Sequence, residues 1–160
     1  MAYFKTAAAV TVGCLLSSTG NAQEDRGKYL AQIMDCGGCH TPGYLVGKPD
    51  MTRYLGGSEV GFEIPGLGIF YPPNLTNDET GLAEWTEEQI VTAVRTGVRP
   101  DGRQLAPIMP YHQYSVLTDE DASALVRFLK STPAVSNKVP DPVGPGQKAP
   151  QPYMTVRMPE

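Results

Sequence analysis

Two thiols and an imidazole stand together in the run Cys36-Gly37-Gly38-Cys39-His40. Side chains three positions apart share a helix face, so both sulfurs can reach one planar partner while the adjacent imidazole turns toward its centre. A porphyrin needs this set: each thiol adds to one of its two vinyl groups as a thioether, and the imidazole takes the iron. The same atoms could serve a redox dithiol or half a zinc site. A zinc site asks for two more ligands, and a thioredoxin-like dithiol asks for a parallel sheet. Only Cys14 and His112 remain as further ligands of these types, and Cys14 falls in a segment with the marks of an export signal. The expected cofactor is covalent haem c with its iron, one per chain because the motif occurs once, with Cys36 and Cys39 as attachment sites and His40 as metal ligand.

A second axial ligand must come from elsewhere, and Pro107-Ile108-Met109-Pro110 is the best source. Pro110 biases Met109 to extended geometry and Pro107 fixes the entry, so the thioether of Met109 would be presented from a stiff loop. Met34 precedes Cys36 by two residues and belongs to the proximal side. Met51, Met154, Met158 and His112 stay open as alternatives, and Met109 could instead be a soft gap-filler beside the core. An iron closed by histidine and methionine leaves no place for substrate, which points to one-electron transfer and not to catalysis. A five-coordinate haem that binds a gas or reacts with peroxide is the competing expectation.

Three helices can be drawn around the motif. The first runs from Asp25 as cap to about Asp35, with Tyr29/Ile33 and Leu30/Met34 as apolar pairs, before Gly37 and Gly38 break it. The second opens at Thr86 with Gln89 in a capping box, staples Trp85 onto Ile90 and stops at Gly97. The third opens at Thr118 with Asp119, Glu120 and Asp121 against the helix dipole, and carries Ala122, Leu125, Val126 and Leu129 on one face until Pro133. Between the first two lies a long irregular stretch over 41–84, which the cofactor's surface would give something to pack on. Its Gly66-Leu67-Gly68 is no dinucleotide loop, since Tyr71 occupies the third glycine position. Asn74-Leu75-Thr76 matches a glycosylation sequon by chance.

Residues 1–22 read as a secretory signal peptide: Lys5, an apolar run from Ala7 to Leu16, then Gly20-Asn21-Ala22 as a cleavage region. The run is too short to span a bilayer, and Thr11 stands where a lipidated Cys14 would want an aliphatic residue. Export to the periplasm suits thioether formation, which belongs to the outer side of the bacterial membrane. Residues 23–135 form the haem domain, and 136–160 a proline-rich tail that is either an extended strap anchored by Tyr153 and Met154 or a disordered end. The 17 glycines and 15 prolines make the chain rich in loops, and a net charge of −4 argues against nucleic acid as a partner. No membrane span is expected in the mature form, which leaves peripheral association open.

Arg26-Gly27-Lys28-Tyr29-Leu30, the Cys36–Thr41 run, Tyr71 with Pro73-Asn74-Leu75-Thr76, Thr80-Gly81, Trp85-Thr86-Glu87-Glu88, Arg99-Pro100-Asp101-Gly102-Arg103 and Leu117-Thr118-Asp119-Glu120-Asp121 together resemble the haem domains of class I cytochromes c. More narrowly they resemble those in cytochrome subunits of bacterial alcohol and gluconate dehydrogenases. The resemblance covers residues 24–138. It implies an all-α fold of three or more helices around one covalent haem with long loops, thioethers at Cys36 and Cys39, and His40 and Met109 as proximal and distal ligands. It also implies redox protein partners, with a dehydrogenase as donor and an oxidase or another cytochrome as acceptor. The chain would be a free carrier or the haem subunit of a periplasmic dehydrogenase complex. The nine-residue step from Gly27 to Cys36 leaves the register of the first helix on the last one unset.

Overall fold

The computed structural model describes residues 18–157 and 159. Residues 1–17, and with them Cys14 and most of the expected signal peptide, lie outside the described residues, as does Met158. Five α-helices are present among those described: α1 (Ser18–Ile33), α2 (Cys36–His40), α3 (Glu87–Thr96), α4 (Tyr111–Tyr114) and α5 (Asp119–Ser131). They are joined by three strands, β1 (Gly61–Ile64), β2 (Gly68–Phe70) and β3 (Tyr153–Met154), so the expected all-α architecture needs a small sheet added.

Packing of α1 on α5 builds the core. Leu30 and Ala31 from α1, Ile90 from α3, and Leu125, Val126 and Leu129 from α5 are buried together with Leu55 and Leu82. Gly27 is the crossing point: a Cβ there would stand 2.1 Å from the Ala124 carbonyl oxygen and 2.7 Å from Phe128 Cβ. Of the two expected apolar pairs only Leu30/Met34 faces this core, because Tyr29 and Ile33 are 50% and 60% exposed. The helix also begins at Ser18 and runs through Asp25, which therefore does not cap it.

α3 is closed at both ends as its residue types dictate. Thr86 Oγ1 accepts from the Gln89 amide at 3.2 Å, the Gln89 side chain accepts from the Thr86 amide at 3.0 Å, and Gly97 ends the helix at φ +74°. Thr118 caps α5 by accepting from the Asp121 amide at 3.1 Å. Two of the three acids that follow are spent inside the molecule: Asp119 pairs with Arg95 and Asp121 with Arg26, each at 2.8 Å.

The stretch 41–84 is less irregular than its composition suggests. Two 3-10 turns, Tyr44–Val46 and Met51–Arg53, precede the antiparallel hairpin β1–β2, in which Phe62 faces Phe70 and Pro65-Gly66-Leu67 makes the turn. The proline-rich tail is a strap. Its Val143 exchanges both main-chain hydrogen bonds with Ile69 at 2.8 and 2.9 Å, and β3 pairs in parallel with β1. Tyr153 and Met154 stay 43% exposed, so the strap is held by hydrogen bonds and not by these two expected apolar anchors.

Candidate functional site

The C-x-x-C-H run forms a helix of its own. α1 ends before it, and Asp35, in the left-handed region at φ +53°, turns the chain into α2; Gly37 and Gly38 are helical and do not break anything. Both lie close against neighbouring side chains. A Cβ on Gly37 would meet Tyr54 Cε2 at 2.7 Å, and one on Gly38 would meet the Asp35 carboxylate at 2.3 Å.

His40 is buried, and its Nδ1 lies 2.7 Å from the Pro73 carbonyl oxygen. A carbonyl can only accept, so Nδ1 carries the proton and Nε2 keeps its lone pair. Burial lowers the imidazole's pKa, and the Pro73 bond opposes that in part. Cys36 and Cys39 are free thiols. Burial pushes the Cys36 thiol up to about 11, with the Asp35 and Cys39 charges adding to the rise, and burial raises Cys39 as well.

Met109 sits in the turn between α3 and α4. Its amide donates to Ala106 at 2.9 Å, and its carbonyl accepts from Tyr111 at 2.8 Å. Gly97 lets the end of α3 lie against this turn, since a Cβ there would come within 2.8 Å of the Tyr111 ring. Just beyond, the Tyr114 hydroxyl donates to the Met34 carbonyl at 2.8 Å, tying the methionine loop to the end of α1.

These segments enclose a cavity of about 480 Å³ whose lining includes Cys36, Cys39, His40 and Met109. The four residues singled out in sequence are thereby brought to one space. Met34 also lines it, whereas Met51, Met154 and His112 do not. His112 is exposed, and its ring lies tilted beside that of Tyr111 with centroids 4.4 Å apart. Most of the remaining wall is apolar: Phe62 and Phe70 from the hairpin, Trp85 and Ile90 at α3, Leu125 and Leu129 from α5.

Two guanidiniums sit at the same cavity, which sequence patterning did not single out as functional. The Arg99 to Arg103 turn is closed by an Arg99 amide to Arg103 carbonyl bond of 3.0 Å, with Gly102 at φ +78°. Arg99 stacks on the Trp85 ring at 4.9 Å and reaches Asp101 at 3.5 Å. Arg103 has its pKa lowered, first by burial and then by the charge of Arg99. A pair of like charges beside an apolar cavity fits a ligand that brings anions to that place.

Asn74 is the other residue whose role was hidden. It is 1% exposed; its amide donates to Thr80 Oγ1 at 2.9 Å and to the Val135 carbonyl at 2.6 Å, and its oxygen accepts from the Thr76 amide and hydroxyl. The sequon match is thus a buried structural junction beside the cavity. Its only outward signal was a polar residue embedded between Pro73 and Leu75.

A cavity with two free thiols one turn apart, a neutral buried imidazole, an apolar wall and paired cations suits a large flat apolar ligand that carries acids at one edge. No helix among the described residues is long and apolar enough to cross a membrane. The family model for Cytochrome c matches residues 24–133. The chain is 35% identical over 148 residues to the alcohol dehydrogenase (quinone) cytochrome c subunit of Gluconobacter oxydans, covering 86% of this chain and 29% of that one. It is 40% identical over 105 residues to the fructose dehydrogenase cytochrome subunit of Gluconobacter japonicus, covering 65% and 20%. It is 38% identical over 104 residues to the gluconate 2-dehydrogenase cytochrome c subunit of Pantoea cypripedii, covering 64% and 22%. The chain thus spans less than a third of the length of these curated relatives. By the extent of the family match, and with a cavity of this chemistry at its centre, the chain belongs to the cytochrome c family, whose members transfer electrons on covalently bound haem c and its iron.

Proposed function

We infer that this chain is a one-electron carrier built on a single haem, attached through Cys36 and Cys39, with His40 and Met109 as axial ligands, and that it works in the periplasm once residues 1–22 are removed. The observation that carries this is the meeting of Cys36, Cys39, His40 and Met109 at one cavity from two distant segments. Bound haem supplies the one-electron couple of its iron, and methionine ligation raises the potential of that couple. The protein does the rest. The Pro73 carbonyl holds the imidazole in the tautomer that leaves Nε2 free to ligate. The bond from Tyr114 to Met34 keeps the Met109 loop at a set distance from α1. Arg99 and Arg103 are the cations suited to the haem's two carboxylates, and the apolar wall excludes water.

With His40 and Met109 both holding the iron, haem bound here would leave no place for a substrate or a gas. Carbon monoxide added to the reduced protein is therefore expected to leave its visible spectrum unchanged. Rapid formation of a carbonyl complex would favour the five-coordinate alternative. Attachment is tested by the double variant Cys36→Ala/Cys39→Ala, which should lose the haem that survives denaturing electrophoresis in the native protein. Mass measurement should give one haem per native chain, and two would overturn the single-haem reading.

A second reading shares the redox step and differs in partner: the chain is the haem subunit of a dehydrogenase complex that passes electrons to an oxidase or another cytochrome. The similarity to three dehydrogenase cytochrome subunits favours it. Copurification of a dehydrogenase with the native protein separates it from a free carrier.

A further inference from the structure

The family match ends at residue 133, yet the cavity does not. Lys138, Val139, Pro140, Asp141 and Pro142 line it from the strap. A second cavity of about 280 Å³ is lined by Asn137, Lys138, Val139 and Pro140 with Arg53 and Gln151. Lys138, Val139 and Pro140 therefore border both spaces, and a single thickness of chain separates one from the other.

That thickness is fastened at both ends. Asn137 Nδ2 donates to the Gly56 carbonyl at 2.7 Å, and the Asn137 amide donates to Thr80 Oγ1 at 3.1 Å. The Tyr71 hydroxyl donates to the Gln151 carbonyl at 2.8 Å. Between these ties Val139 packs directly on backbone: a Cβ on Gly57 would lie 2.6 Å from Val139 Cγ1. Two prolines flank Asp141, so this segment offers few main-chain N–H groups to the cavity. Lys138 and Asp141 are charged and exposed, so the apolar part of this wall is Val139 with Pro140, both half-buried, in a stretch beyond the family-model match.

We propose that Val139 and Pro140 of the strap are a functional wall of the haem site, which keeps water from the haem and thereby holds its reduction potential up. The inference rests on the haem reading above. The ferric state carries one more positive charge than the ferrous, so a drier and less polar surrounding disfavours it and raises the potential. Val139 is then a positioning and shielding residue for electron transfer, although it lies far in sequence from the ligands.

The test uses the full-length protein with its haem. Val139→Asp and the milder Val139→Ser are compared with Val156→Asp, a strap change at a site 78% exposed and past β3. Midpoint potentials are read by optical redox titration and melting by circular dichroism. Val139→Asp is expected to raise the ferric-to-ferrous ratio about tenfold at a fixed solution potential, about 59 mV for one electron. Val139→Ser should move it the same way by a few-fold, and Val156→Asp should leave it unchanged. If Val139→Asp does not accumulate, Val139→Ser decides alone. Native potentials in both Val139 variants, with lowered melting, would overturn the proposal and leave the strap a structural tie. A native protein without covalent haem would instead defeat the haem reading itself, before any Val139 variant is measured.

Discussion

Replacing Gly27 by alanine sets two known effects against each other. Alanine within a helix is favoured over glycine by about 1 kcal/mol, so α1 taken alone gains. The added methyl would stand 2.1 Å from the Ala124 carbonyl oxygen and 2.7 Å from Phe128 Cβ, whereas ordinary contact begins near 3.4 Å. The obstacle at the shorter distance is the backbone of a packed helix, which cannot swing aside. α1 and α5 must therefore part by more than an ångström, loosening Leu30 against Leu125 and Leu129 in the core. Overpacking of this kind costs about 1–3 kcal/mol, and a backbone obstacle places it at the upper end. The net expectation is a loss of about 2 kcal/mol, or about 4–10 °C in Tm for a domain of this size. Thermal melting of the haem-loaded protein, followed in the far ultraviolet and at the Soret band, measures it. A variant that melts at or above the native temperature would show that helix propensity wins and that the crossing is not tight.

Met109→Ala should abolish the ferric sulfur-to-iron charge-transfer band in the near-red while His112→Ala leaves it intact, and the reverse pattern would move the distal ligand to His112. Arg103→Ala removes a cation from the cavity rim and should lower the midpoint potential, because positive charge nearby disfavours the ferric state; an unmoved potential would place the haem's acids elsewhere. The Arg26 guanidinium, hydrogen-bonded to Asp121, holds that carboxyl below the usual carboxylate range. Its contribution to stability is thus present above the unfolded pKa of about 3.9 and fades as pH falls through the lower folded value. Native protein and Asp121→Asn should accordingly differ in denaturant midpoint at neutral pH and converge in strong acid, and a gap that stays constant down to strong acid would refute the assignment.

The candidate site was more legible in the sequence than the fold around it, for a physical reason. Cys36, Cys39 and His40 stand out by type and spacing alone, and Met109 by the prolines on either side of it, and all four line one cavity. Thr86, Gln89 and Gly97 were readable because capping is local and each partner lies within one turn. Asp25 misled because its residue type suits a cap, while the helix had already begun at Ser18. The hairpin was missed because β1 and β2 are only four and three residues long, too short for alternation to register. Asn74 and Val139 depend on partners far along the chain, Val135 and Gly57, and no short-range pattern announces such contacts. Gly27 looked like any helical glycine until Ala124 was placed against it.

The acceptor that orients His40 is a main-chain carbonyl, at Pro73. Every amino acid owns that oxygen, so no substitution at position 73 can delete it, and the tautomer is insulated from point mutation there. The orientation is exposed instead to changes in chain length. One residue gained or lost between Thr41 and Pro72 would slide a different carbonyl, or an amide of opposite polarity, into register with the imidazole. A one-residue insertion after Pro72 is therefore expected to disturb the imidazole more than any substitution at Pro73 itself, as the haem's visible spectrum would show.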